Sequence, residues 1–182
     1  MNARLLHLFT MLEKERADLL ASIKHVRQEH FRTAPKDKWS IEQILAHIIT
    51  GERLSIQYLN KKILGIHEAE NSGIVEALKM VALTISQRLP FKFKAPRSVV
   101  ENTLSYKNLD DLVSDWDSVR NELKVFLEKF EDDQINKKIY RHVRVGLLNI
   151  QQALLFFREH LIHHAPQIHR LVTHKDNVQK GM

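Results

Sequence analysis

The sequence predicts an all-α protein: a four-helix bundle in which one long crossover carries a short extra helix. Three observations lead there. Four long segments repeat apolar residues at helical spacing, the mark of helices with one buried face. Five glycines and four prolines leave few places to turn the many short strands of a β fold. An abundance of Leu, Lys, Glu, Ile and Gln favours long helices. A chain of 182 residues suits one domain, expected over 1–174, with a polar tail at 175–182 that is expected to fray.

The first helix is expected from Ala3 to Val26, with Leu5, Leu8, Phe9, Leu12, Leu19, Leu20, Ile23 and Val26 as its apolar side. The stretch EHFRTAPKDK, with Pro35, ends it. Ser40 and Gln43 then form a capping box, and Trp39 and Ile44 are placed to staple the entry to the second helix. That helix runs to about Leu64 on Ile41, Ile44, Leu45, Ile48, Ile56, Leu59 and Ile63, and Gly65 stops it.

The connection from Gly65 to Lys107 holds a short helix that opens at Ser72 or Gly73 and reaches Gln87. Its expected buried side is Ile74, Leu78, Val81 and Ile85. LPFKFKAPRSV reads as an extended loop. The third long helix starts at Asn108 or Asp110, with acids at the positive end of its dipole, and runs to about Phe130. A short irregular piece follows, with a β-like turn between Ile139 and Val145. The last helix opens on an Asn149–Gln152 capping box and is expected to end near Thr173. Pro166 lies inside it, where a missing amide and a clash with the Ile162 carbonyl predict a kink, or else a break and restart.

Composition removes several functions. With no cysteine there is no disulfide, thiolate metal site or cysteine nucleophile. Apolar residues at 43% and charged residues at 27% are ordinary for a soluble globular chain. The net charge of +6 comes from Lys and Arg mixed with Asp and Glu, without a recognition helix or basic arm, so no nucleic-acid partner is expected. No signal peptide and no run of 18 apolar residues is read, so no membrane partner and a cytoplasmic location are expected.

The chemistry concentrates in HLIHH, residues 160–164. His160 and His164 stand one helical turn apart, so both imidazoles leave nearly the same strip and can share a metal ion if a third ligand exists. On a helical wheel His164 falls within the apolar arc and His160 at its edge, while His163 and Glu159 point outward. The candidate third ligand is His47, on the flank of the second helix beside Gly51, whose small size leaves room for a ligand. The three meet only if the second and fourth long helices are neighbours. A three-imidazole site leaves coordination positions open, the catalytic pattern, and suits zinc, nickel, iron or copper. His7, His25, His30, His67, His142, His169 and His174 show no comparable arrangement and read as surface or packing residues.

Two stretches, KWSIEQILAHI and GLLNIQQALLFFREHLIHHAPQI, resemble the second-helix and last-helix motifs of the DinB-like family of metal-binding four-helix bundles, which includes YfiT-type metal-dependent hydrolases. The resemblance maps that family's ligands onto His47, His160 and His164. It implies a divalent transition metal, zinc or nickel foremost. The activity it implies is a hydrolase or a thiol-dependent transferase acting on a small molecule, with a low-molecular-weight thiol as a second cofactor. It also implies a homodimer. Gln167, one turn beyond the ligands, is a candidate substrate contact, and Lys92, Lys94 and Arg97 a candidate anion clamp. No general base is legible. The competing expectation is a non-catalytic metal-binding or dimerising helical module, whose ligands would be sealed by side chains rather than opening on a pocket.

Overall fold

A computed structural model describes residues 1–89 and 95–179, with side chains through Thr173. In chain order the elements are α1 (Ala3–Ile23), α2 (Gln28–Arg32), α3 (Ile41–Lys62), a 3-10 turn (Ile63–Glu68) and α4 (Ile74–Arg88). Then come α5 (Arg97–Asn102), α6 (Leu109–Leu127), strands β1 (Lys138–His142) and β2 (Gly146–Asn149), and α7 (Ile150–Gln179). The protein is a four-helix bundle of α1, α3, α6 and α7, and α4 lies in the crossover between α3 and α6. No helix among the described residues is long and apolar enough to cross a membrane.

The predicted helix starts coincide with side-chain caps. Ser40 accepts from the Gln43 amide at 3.1 Å, and Gln43 Oε1 accepts from the Ser40 amide at 2.9 Å. Asn149 and Gln152 make the same reciprocal pair at 2.9 and 3.0 Å. Each box satisfies two amides that the first turn leaves without carbonyl partners, worth about 1 kcal/mol per cap. The two helices that bring the histidines therefore have sharply defined starts.

Packing follows the buried stripes. α7 lies against α1, α3 and α4, and α3 also lies against α6. The second and fourth long helices are thus neighbours, the condition on which a shared histidine site depended. Leu12, Leu19, Ile48, Ile56, Trp116, Leu123, Phe157 and Leu161 are buried in one core. Inside it, Glu52 accepts from Trp116 Nε1 at 2.9 Å and from Arg120 Nη2 at 2.7 Å, while Arg120 also reaches Glu13 at 3.4 Å. This network joins α1, α3 and α6.

Several expectations are corrected. α1 stops at Ile23 and the separate short α2 follows, while α3 gives way to the 3-10 turn at Lys62 and α6 ends at Leu127. α7 is one helix through Pro166, which excludes a break and restart there, and its backbone continues past Thr173 to Gln179. The side chains of the 175–182 tail lie outside the described residues. The β-like turn is a real hairpin: β1 and β2 pair antiparallel, Tyr140 opposite Leu148 and His142 opposite Gly146. Gly146 has φ of +78°, a left-handed conformation that favours glycine.

The face of α4 is inverted. Met80, Leu83 and Gln87 are its buried residues, whereas Ile74, Leu78, Val81 and Ile85 are each more than half exposed. Periodicity identifies an apolar stripe but not the neighbour that covers it, and α4 carries stripes on both sides.

Candidate metal centre

α3 presents His47 and α7 presents His160 and His164 to one point. His160 Nε2 lies 3.3 Å from His47 Nε2 and 3.1 Å from His164 Nε2. Three imidazole nitrogens each about 2.0–2.1 Å from one tetrahedral ion are about 3.4 Å apart, so the spacing suits a shared cation. His47, His160 and His164 are the three-residue group able to hold a metal among the described residues.

The electrostatics suit ligation. Burial, with the nearby His163, pushes His47 down to about 4. Burial, with His47 close by, takes His164 to about 3, and His160 is held well below its ordinary value by burial and the surrounding imidazoles. All three are neutral at pH 7, the form that offers a lone pair to a metal. With each proton on Nδ1, three Nε2 lone pairs would converge on one point, where a cation would bind all three.

The surroundings orient the rings. His164 Nδ1 lies 3.2 Å from Gln167 Oε1, an atom that only accepts, so the proton sits on Nδ1 and the Nε2 lone pair faces the cluster. Phe156 stacks on His160 with centroids 5.5 Å apart. The ring of Trp39 lies 5.2 Å from that of His47. His47 Nδ1 is buried without a hydrogen-bond partner among the described residues. A methyl group added to Gly51 would meet His160 Cε1 at 3.9 Å, ordinary contact, so the ligand itself does not require glycine there.

The cluster opens on a cavity of about 300 Å³. Leu54, Val99, Val143, Phe156 and Phe157 give it apolar walls, and Tyr58, Gln87, His142 and His163 add polar groups. Glu52 is the one carboxylate among the described lining residues, and both its oxygens are taken by Trp116 and Arg120. Its carboxyl is pushed up by burial, against the pull of Arg120.

Two wheel expectations fail for one reason. Glu159, placed outward, is 3% exposed and accepts from Arg88 Nε and Nη2 at 2.8 and 2.9 Å. His163, also placed outward, is half-buried and its Nδ1 donates to the Gln87 carbonyl at 2.6 Å. Both partners belong to the end of α4, a fifth helix laid over the face that a four-helix bundle leaves to water.

The remaining expected residues fall as follows. Gln167 lies against His164 and is not among the cavity-lining residues. Arg97 has an exposed side chain paired with Glu101 at 2.6 Å, and it too is not a lining residue, although Pro96 and Ser98 are. Lys92 and Lys94 lie outside the described residues. Sequence reasoning missed His142, which is 5% exposed and lines the cavity from β1. Its signal was the alternation of the strand, IYRHV, which puts Tyr140 and His142 on one side.

The fold and site define a four-helix-bundle protein with a buried three-histidine cluster fit for a metal ion. The chain belongs to the DinB superfamily, whose sequence model matches residues 11–168. Among solved structures it is similar to YfiT from Bacillus subtilis, described as a probable metal-dependent hydrolase with an unusual four-helix bundle topology. That match has a TM-score of 0.55 at 12% identity, covering 93% of this chain and 86% of YfiT. No curated protein sequence matches the chain.

Proposed function

We propose that the protein is a metal-dependent enzyme, a hydrolase or a thiol-dependent transferase, that binds zinc or nickel through His47, His160 and His164 and acts on a small molecule. One observation carries the reading: among the described residues the cluster lines a cavity instead of being sealed by side chains. A scaffold whose metal only stiffens the bundle has no use for an open position beside a largely apolar pocket. The description of YfiT as a metal-dependent hydrolase supports the same class.

A divalent ion in this place supplies Lewis acidity, polarising a substrate oxygen or sulfur or acidifying a water. The residues of the chain do the rest. Gln167 holds the His164 tautomer, and Phe156 and Trp39 fix the rings of His160 and His47. The Phe156, Phe157, Leu54 and Val99 walls keep water low, which strengthens every charge interaction inside. A thiol cofactor, if used, enters the same cavity.

The test is elemental mass analysis of untagged protein beside a His160→Ala/His164→Ala double variant. Near-stoichiometric transition metal that disappears in the folded variant is the expected result, followed by screens for hydrolysis and thiol transfer. Wild-type protein that takes up neither zinc nor nickel overturns the proposal and leaves a helical interaction module.

A further inference from the structure

The β hairpin delivers a histidine to the cavity that is not part of the cluster. His142 is 5% exposed, and its Nδ1 lies 3.3 Å from the Arg144 amide and 3.4 Å from the Val145 amide. Both neighbours are donors, so Nδ1 accepts and the ring proton sits on Nε2. Nε2 has no hydrogen-bond partner among the described residues. The turn that fixes this tautomer depends on the left-handed Gly146 just beyond it.

The ring is also held in place. It packs against Phe156 at 4.4 Å, and Phe156 stacks in turn on His160. One aromatic ring therefore separates His142 from the metal cluster. Arg141 and Arg144, from the same hairpin, line the same cavity, while its one carboxylate, Glu52, is already neutralised.

We propose that His142 is the second polar anchor of the cavity, donating from Nε2 to a carboxylate on the substrate. The substrate class that fits is a bifunctional small molecule. One end reaches the cluster, an apolar spacer crosses Phe156, and the carboxylate meets His142. The inference rests on the metal-site reading and adds to it the polarity and length of the substrate.

Dicarboxylic monohydroxamates from succinic to suberic are the probes, each compared with the alkyl hydroxamate of equal length that lacks the carboxylate. Calorimetric titration of zinc-loaded protein is expected to show one spacer at which the carboxylate tightens binding about tenfold, the worth of one good hydrogen bond to a charged group. His142→Phe, which keeps the ring on Phe156, loses that gain at unchanged zinc stoichiometry. His142→Gln, which keeps a donor near the Nε2 position, retains most of it.

No gain at any length, or a gain that survives His142→Phe, overturns the inference while the metal site stands. Nitrogen-15 NMR of metal-free protein is an independent arm: a proton on Nδ1 of His142 overturns it as well. Failure to take up zinc brings down the metal reading and this inference with it.

Discussion

His47 and His160 are separated by 113 residues in the chain, yet their Nε2 atoms lie 3.3 Å apart in the folded protein. The contact joins α3 to α7 at the floor of a cavity, and His164 completes it one turn along. Removing one of three ligands from a site of this kind weakens metal binding far more than losing a supporting contact, which costs about 10–100-fold. His47→Ala is expected to lower zinc affinity by more than about a hundredfold, measured by competition with a chromophoric chelator. Its helical circular dichroism is expected to be unchanged, because the core does not depend on that ring.

Gln167 acts on the metal through His164. Gln167→Leu removes the acceptor of the Nδ1 proton, and zinc affinity is expected to fall about 10–100-fold. Gln167→Glu keeps an acceptor, adds charge, and is expected to bind at least as tightly as wild type. Equal affinities in all three proteins would show that the amide does not orient the ligand.

Gly51 is expected to accept a methyl group. The 3.9 Å approach of that methyl to His160 Cε1 is ordinary contact, and alanine in a helix interior is about 0.5–1 kcal/mol more favourable than glycine. Gly51→Ala should raise the thermal midpoint and leave metal stoichiometry unchanged. A lower midpoint would mean that the cavity floor has no room for a methyl.

Arg120 and Glu52 form a buried pair whose members each pay for lost hydration. Arg120→Met strands the Glu52 carboxylate and is expected to cost about 3–5 kcal/mol in urea unfolding. The double variant Glu52→Leu/Arg120→Met removes both charges and is expected to recover much of that loss. Additive effects in the cycle would rule out the coupling.

Asp115 links α6 to α3. Burial raises its carboxyl, but hydrogen bonds from Arg53, at 2.5 Å, and from Tyr106 outweigh this and hold it below its ordinary value. A depressed folded value stabilises the protein above the unfolded carboxylate range, about pH 4, and that contribution disappears as pH falls through the folded value. Asp115→Asn is therefore expected to cost stability at pH 7 and to converge with wild type at low pH. A pH-independent difference in urea midpoints would exclude this linkage.

Helix starts were legible because a cap is a local event: Ser40 with Gln43, and Asn149 with Gln152, need only residues three apart. The ends were less legible: α1, α3 and α6 stop at Ile23, Lys62 and Leu127, each two or three residues short of the expected position, because helix ends fray and carry weaker local signals than caps. The pairing of His160 with His164 was readable from one turn of helix, and family resemblance added weight to His47. Their approach needed the observed adjacency of α3 and α7.

The sequence by itself determined the helical periodicity, the caps, and a set of imidazoles able to face one point. Those properties are set by backbone geometry within a few residues. Only the tertiary structure decided which outer faces stay wet. α4 covers Glu159 and His163, leaves its own Ile74–Ile85 stripe exposed, and the hairpin turns His142 into the cavity. A wheel reports the angle of a side chain about its own axis, whereas burial depends on what another segment, far along the chain, places against it.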